Sequence, residues 1–253
     1  MIRIYNGDCR VAVERIDRDS VDCVLTSPPY NTQPMNGTNM YDVHVDEMSE
    51  EDYRKLCVEI VSKCDDVLKK NGVILWNTSY GAHNSDQFVK VVSDICEKTN
   101  FTIADVIVWK KDCAFPNTCS PNRLTRICEF VFVLVRRDEM MTFYCNKQKK
   151  SVRDTGQQMY APIENIVFAK NNDGVTMGMN NATFSTDFAR KLLGLYCPSG
   201  GVVYDPFMGT GTTASAARDL SLDCYGSELS EKQCEYAKKR LDDMFTQVEI
   251  VKI

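Results

Sequence analysis

The four residues from Gly201 to Tyr204 lead directly into Asp205-Pro206-Phe207-Met208-Gly209-Thr210-Gly211-Thr212-Thr213-Ala214, and no other stretch constrains the fold of this chain as strongly. An apolar run that stops at a glycine loop and opens a helix is a strand, loop and helix unit. The glycines allow a tight turn and close approach of a ligand, and the helix start leaves backbone N–H groups unpaired. Elsewhere short apolar runs bounded by turn residues alternate with helical patterns, which predicts an α/β domain with a largely parallel sheet. Strands are expected near Arg3 to Tyr5, Cys23 to Thr26, Val73 to Trp76, Ile103 to Trp109, Phe130 to Val135, Val202 to Tyr204 and Asp223 to Tyr225. Ser49 with Asp52, and Ser230 with Gln233, have the spacing of capping boxes and mark helix starts. A further helix from about Thr186 places Phe188, Leu192 and Leu195 on one face. From Asp138 to Gly178 the rhythm breaks into polar and basic residues with turn signals, predicting a small insert (138–178) between two halves, 1–137 and 179–253, of one domain. The tail Val248 to Ile253 reads as one more strand or as a frayed end.

Composition narrows the class. A chain of 253 residues with 43% apolar content buries a core without disulfide or metal staples. No apolar run approaches the roughly 18 residues of a membrane span, and the charged start is unlike a signal peptide, so an intracellular protein away from membranes is expected. The 12 cysteines include no Cys-x-x-Cys pair, and the two histidines, His44 and His83, stand apart. Buried thiols in a reducing compartment, with no metal, are the expectation. The net charge of −5 hides an asymmetry: Trp109 to Arg153 carries ten Lys or Arg against four acids. A basic middle in an acidic chain suits one face presented to a polyanion, and equally suits a solvated face.

The glycine loop implies a nucleotide-like cofactor. No Gly-Lys-Ser/Thr follows it, which excludes a phosphate loop of the triphosphatase kind. Glu228, seventeen residues past Gly211, also fits the ribose-gripping acid of a dinucleotide fold, so the loop leaves a nicotinamide oxidoreductase open. The second informative stretch is Leu25-Thr26-Ser27-Pro28-Pro29-Tyr30-Asn31, at the end of an apolar strand. Two prolines fix φ and remove two N–H groups, giving a stiff ledge of carbonyl oxygens and the Ser27 hydroxyl beside an aromatic ring. Such a ledge can hold the amino group of a flat base. Taken by itself, Ser-Pro-Pro-Tyr is better read as a proline turn with Tyr30 filling the core.

With both stretches together, the chain resembles the amino-group DNA methyltransferases that use S-adenosylmethionine, in the subgroup whose catalytic motif precedes the cofactor motif. The resemblance covers nearly the whole chain: Leu25 to Tyr30 matches the catalytic motif and Asp205 to Thr213 the cofactor loop. Leu68 to Trp76 is similar to the strand after the catalytic motif, and Arg123 with Glu129 to the family's later Arg and Glu. The resemblance implies a Rossmann-like methyltransferase fold with a mostly parallel seven-stranded sheet, helices on both faces and a small target-recognition insert. It makes Ser27, Pro28, Pro29 and Tyr30 catalytic, and Asp8, Asp205, Pro206, Phe207, Gly209, Gly211, Thr212 and Glu228 cofactor-binding. Where many members carry His or Lys, this chain reads Asn180-Asn181-Ala182-Thr183-Phe184, and Phe184 is taken as a cofactor contact with core packing as its alternative.

The implied reaction is transfer of a methyl group to the exocyclic amino group of a base flipped out of double-stranded DNA, with Tyr30 stacking on it and the loop from Asn31 to Glu47, with Gly37 and Tyr41, closing over it. Thr-Ser-Pro-Pro-Tyr favours cytosine N4, with adenine N6 as the alternative. Lys147, Lys149, Lys150 and Arg153 are assigned to DNA phosphates. A second copy of the chain, a cognate restriction endonuclease, and the cytoplasm of a bacterium or virus-infected cell complete the expected setting. Ring-carbon methylation is disfavoured because Cys197-Pro198 reverses the order that chemistry uses. A catalytically inactive DNA-binding protein is the rival outside enzymes.

Overall fold

Val21–Thr26 and Cys128–Arg136 owe their extended form to β-branched and aromatic residues that fit a pleated, doubly covered surface. The computed structural model describes residues 1–31, 48–81, 84–114, 116–118, 120–174, 183–243 and 246–253. Its strands are β1 (Ile2–Asn6), β2 (Val21–Thr26), β3 (Leu68–Thr78), β4 (Phe101–Lys111), β5 (Cys128–Arg136), β6 (Lys149–Val152), β7 (Gln158–Tyr160), β8 (Ile166–Ala169), β9 (Val202–Asp205), β10 (Asp223–Glu228) and β11 (Val248–Lys252). Its α-helices are α1 (Cys9–Ala12), α2 (Glu50–Val67), α3 (Gln87–Lys98), α4 (Thr186–Tyr196), α5 (Thr212–Asp219) and α6 (Glu231–Leu241). Among the described residues the main sheet has nine strands in the order β11-β1-β10-β9-β2-β3-β5-β4-β8, and of these only β5 runs antiparallel to its neighbours.

Period-two alternation sorts the strands' side chains into two cores. Cys23, Leu25, Val73 and Leu75 join Phe188, Leu192, Ala217 and Leu241 of α4, α5 and α6. Val24, Ile74 and Trp76 join Ala12, Ile60, Val91 and Ile95 of α1, α2 and α3 on the opposite face. The predicted helix starts hold: Ser49 Oγ accepts from the Asp52 N–H at 3.1 Å and Ser230 Oγ from Gln233 at 3.2 Å. α4 has its own cap, Ser185, accepting from Phe188 at 3.3 Å.

The structure extends the sequence reading at both sheet edges, giving nine strands where seven were expected. The tail is a strand, with Val248 beside Ile2. Among the described residues of the expected insert, the β6–β7 hairpin forms a separate two-stranded sheet, whereas β8 pairs with β4 in the main sheet, Ile166 beside Val108. α3 had no expectation. Its Val91, Val92 and Ile95 are buried at helical spacing, but a valine-rich run reads as extended and Asp86 gives no side-chain cap. The loop expected to close over a base, with Gly37 and Tyr41, and Asn180 to Ala182 lie outside the described residues.

This topology fixes where a ligand binds. From β9 the chain proceeds to β10 on one side, and from β2 to β3 on the other, so the strand order reverses between β9 and β2. A crevice opens at the carboxyl ends of such a pair. Those ends carry Asp205 and Ser27.

Candidate active site

β9 stops at Asp205 because its carboxylate is consumed in organising the loop that follows. Oδ1 accepts from the Phe207 N–H at 3.0 Å and from Thr26 Oγ1 at 2.8 Å, and Oδ2 accepts from Thr213 Oγ1. The side chain is thereby a cross-brace between the two motifs, since Thr26 immediately precedes Ser27. Its burial pushes the pKa up to about 6 against the pull of those three donors. Gly211 caps α5 with φ of 82°, and a Cβ there would meet the Ala237 Cβ at 3.0 Å. Only glycine satisfies both constraints.

Neighbouring strand ends close the other side. Glu228 at the end of β10 accepts from the Gly209 N–H at 2.9 Å and from the Ser230 N–H at 2.8 Å. Asp8 follows β1 and caps α1, accepting from the Arg10 N–H at 2.8 Å. The Arg10 guanidinium beside it holds the Asp8 carboxyl below the usual carboxylate range.

Between these ends lies a cavity of about 500 Å³. Ser27, Pro28, Pro29 and Tyr30 line it together with Asp8, Glu228, Asp205, Pro206, Phe207, Thr212 and Phe184. Gly209 and Gly211 shape the loop behind its wall and are not among the lining residues. Phe184 lines the cavity and also packs edge-on against Phe188 at 5.5 Å. Gln233, read only as a capping-box residue, also lines the cavity with Lys55 and Glu59, which nothing in their sequence context set apart from ordinary helix-surface residues.

The Ser27 end carries a directed chain of donors. Ser27 Oγ donates to Tyr30 Oη at 3.0 Å, and Tyr30 Oη donates to Glu129 Oε2 at 2.9 Å. Lys111 pairs with the other Glu129 oxygen, and Asn77 Nδ2 donates to Glu129 at 3.0 Å and to Tyr30 at 2.9 Å. Asn77 sits on β3, Lys111 on β4 and Glu129 on β5, so three strands converge on the proline turn. With its proton committed to Tyr30, the Ser27 oxygen accepts from Asn77 Nδ2 at 3.3 Å and keeps one lone pair for a further partner. Sequence reasoning had only a resemblance for Glu129 and nothing for Asn77 or Lys111.

A second unforeseen residue is Arg240 in the last turn of α6. It donates to Asp173 at 2.6 Å, Thr186 Oγ1 at 3.1 Å and Thr212 Oγ1 at 3.2 Å, and reaches the Thr210 carbonyl at 3.4 Å. Asp173 in turn accepts from the Thr186 N–H at 2.9 Å. This staple ties the start of α4 to the cofactor loop. From sequence, Lys238-Lys239-Arg240 is only a basic helix end.

The expected phosphate contacts are not brought to this site. Lys147, Lys149, Lys150 and Arg153 are exposed on or beside the β6–β7 hairpin. Its root is held far from Ser27: the Tyr144 N–H donates to the Asn71 carbonyl at 2.9 Å, near the start of β3, and the Asn146 N–H to Leu195 at 2.7 Å, near the end of α4. Lys110 and Lys111 of the same basic segment do reach the Ser27 edge of the sheet, where Lys110 pairs with Cys128, and Arg123 and Arg126 lie in the connection between these two strands. Among the described residues, no cluster of three or more His, Cys, Asp or Glu is arranged to hold a metal ion, and no helix is long and apolar enough to cross a membrane.

Comparison with known proteins gives the arrangement its family. The family model described as DNA methylase (N6_N4_Mtase) matches residues 21–239, spanning both motifs. This chain is a DNA methylase family member. It is 26% identical over 263 residues to the type II methyltransferase M.BglII of Bacillus subtilis, covering 93% of this chain and 67% of the relative. The PvuII DNA methyltransferase, cytosine-N4-specific, superposes with a TM-score of 0.70 at 16% identity, over 96% of this chain and 87% of its own. A DNA modification methylase of Thermus thermophilus, complexed with S-adenosyl-L-methionine, gives 0.68 at 20% identity, over 99% and 100%. The fold of this methylase is therefore that of solved DNA methyltransferases.

Proposed function

We propose that this methylase transfers the methyl group of S-adenosylmethionine to the exocyclic amino nitrogen of a base flipped out of double-stranded DNA, with cytosine N4 as the target. The observation that carries the reading is the single cavity into which the acidic end, Asp8 and Glu228, and the proline ledge, Ser27 to Tyr30, both open. Its volume suits a nucleoside-sized ligand. S-adenosylmethionine supplies a methyl carbon made electrophilic by the attached sulfonium. Glu228 and Asp8 are placed for ribose hydroxyls and the base-bearing end, and Phe207 and Pro206 give apolar walls.

The acceptor amine is a poor nucleophile because its lone pair is delocalised into the ring. Ser27, whose hydroxyl proton is directed to Tyr30 and on toward Glu129, accepts one amino hydrogen, and the Pro28 carbonyl the other. Two acceptors draw the nitrogen toward tetrahedral geometry and localise the pair that forms the new N–C bond as the C–S bond breaks toward sulfur. The nitrogen then gives up a proton to Ser27 Oγ as the Ser27 and Tyr30 hydroxyl protons move along the chain to the Glu129 carboxylate. Tyr30, with its hydroxyl pinned, presents its ring for stacking. Cytosine is supported by the serine form of the motif and by the likeness to the PvuII enzyme.

Incubation with labelled S-adenosylmethionine and unmethylated mixed-sequence DNA, followed by nucleoside mass spectrometry, tests this. N4-methylcytosine is expected. N6-methyladenine would overturn the target base, and no labelled nucleoside would overturn the function.

A further inference from the structure

Flipping a base leaves a gap in the duplex stack, and an apolar side chain that enters the gap offsets part of the lost stacking. Among the described residues, Leu124 and Met141 are the large apolar side chains left almost wholly in water, 88% and 91% exposed. Their places in the sheet differ. Met141 follows the end of β5, where Arg136 pairs with Phe101, at the edge opposite Ser27. Leu124 lies in the connection from β4 to β5, which leaves and rejoins the sheet beside Lys111 and Glu129, the residues that anchor Tyr30.

This connection is braced on both sides of Leu124. The Asn117 side chain donates to the Arg123 carbonyl at 3.0 Å, and the Asn117 N–H donates to Thr125 Oγ1 at 3.0 Å. Ser120 donates to Asn122 at 2.8 Å. Arg126 donates to the Tyr80 carbonyl and lies over the Tyr80 ring at 5.5 Å, fixing the loop to the end of β3. A leucine held outward by bonds on both flanks is positioned, and a loop seeking only solubility gains nothing from it. The run Ser120 to Ile127 contains two arginines and no acid, a charge that suits a phosphate backbone around the wedge.

We propose that Leu124 enters the DNA stack and fills the gap left by the flipped base. The proposal rests on the methyltransferase reading, and its test separates the two. Once wild-type product has located the recognition site, methylation is measured on a duplex matched at the target base and on one mismatched there, where flipping is already cheap. Leu124→Ala is expected to slow transfer on the matched duplex by about 10-fold or more and to stay within about twofold of wild type on the mismatched one. Leu124→Phe, still apolar, is expected to retain activity on both. Equal rates for Leu124→Ala and wild type on the matched duplex, or an equal loss on both duplexes, would overturn the wedge. Cofactor titration of each variant reports folding, since Leu124 does not line the cavity. A wild-type protein that binds S-adenosylmethionine yet labels no DNA defeats the underlying function, a result seen before any Leu124 variant is made.

Discussion

Replacing Asp205 with Asn gives a change in stability that depends on pH. The side chain is 2% exposed, and burial lifts its folded-state pKa to about 6, against roughly 3.9 for an unfolded aspartate. Between these values the folded chain keeps a proton that the unfolded chain has released. The contribution of Asp205 is thus fully present below about pH 4 and is lost as pH rises through 6. Two units at 1.36 kcal/mol each make the loss about 3 kcal/mol. Asparagine has no proton to exchange, and its single oxygen still serves the Phe207 N–H and Thr26, at the expense of Thr213. The stability difference between Asp205→Asn and wild type should therefore move in favour of asparagine by about 3 kcal/mol between pH 4 and pH 7.5. Urea unfolding followed by circular dichroism across that range, without cofactor, measures it, and other titrating groups cancel in the difference. A difference that stays flat, or moves against asparagine, would mean that the three donors outweigh desolvation and would refute the reasoning.

Tyr30→Phe removes the hydroxyl link from Ser27 to Glu129 and keeps the ring, whereas Ser27→Ala removes the acceptor. Both should lower methyl transfer, with Ser27→Ala down roughly 100-fold and cofactor binding largely kept; a Ser27→Ala enzyme with wild-type turnover would end the acceptor role. Arg240→Met should cost about 1–3 kcal/mol in urea unfolding, because Asp173 and the Thr210 carbonyl lose a charged donor, and should weaken cofactor affinity through the loop. Arg240→Lys restores the charge without the fork and should recover only part of either loss. For the Lys149→Ala, Lys150→Ala double variant, the phosphate-contact assignment predicts a salt slope of DNA binding reduced by about 0.9 per lost contact. The rooting of the hairpin far from Ser27 makes an unchanged slope the result that would reassign the DNA track to the β4–β5 edge.

The local parts of the site were readable because they are set by neighbouring residues: strand before glycine loop, two prolines after a strand, serine caps three residues before the N–H groups that donate to them. Asp205 was read as facing the ligand, and it does line the cavity, but both its oxygens are spent on Thr26, Thr213 and Phe207. Polarity at a strand end is visible in a sequence, whereas the partner it chooses across 179 residues is not. Asn77 and Lys111 escaped, and Glu129 was met only through the resemblance, for the same reason: each is one polar residue at the end of a different strand, and sheet order alone makes them neighbours.

By itself the sequence determined the α/β class, the strand and helix starts that bear the motifs, and the two motifs, since period, capping and turn chemistry act within a few residues along the chain. Tertiary structure decided that β8 belongs to the main sheet and the basic hairpin does not, that Arg240 staples the glycine loop to α4, and that Leu124 stands in water on the connection that leaves the sheet beside Glu129. These outcomes depend on which strands become neighbours and on how tightly their side chains pack, quantities summed over the whole fold and written in no single stretch of it.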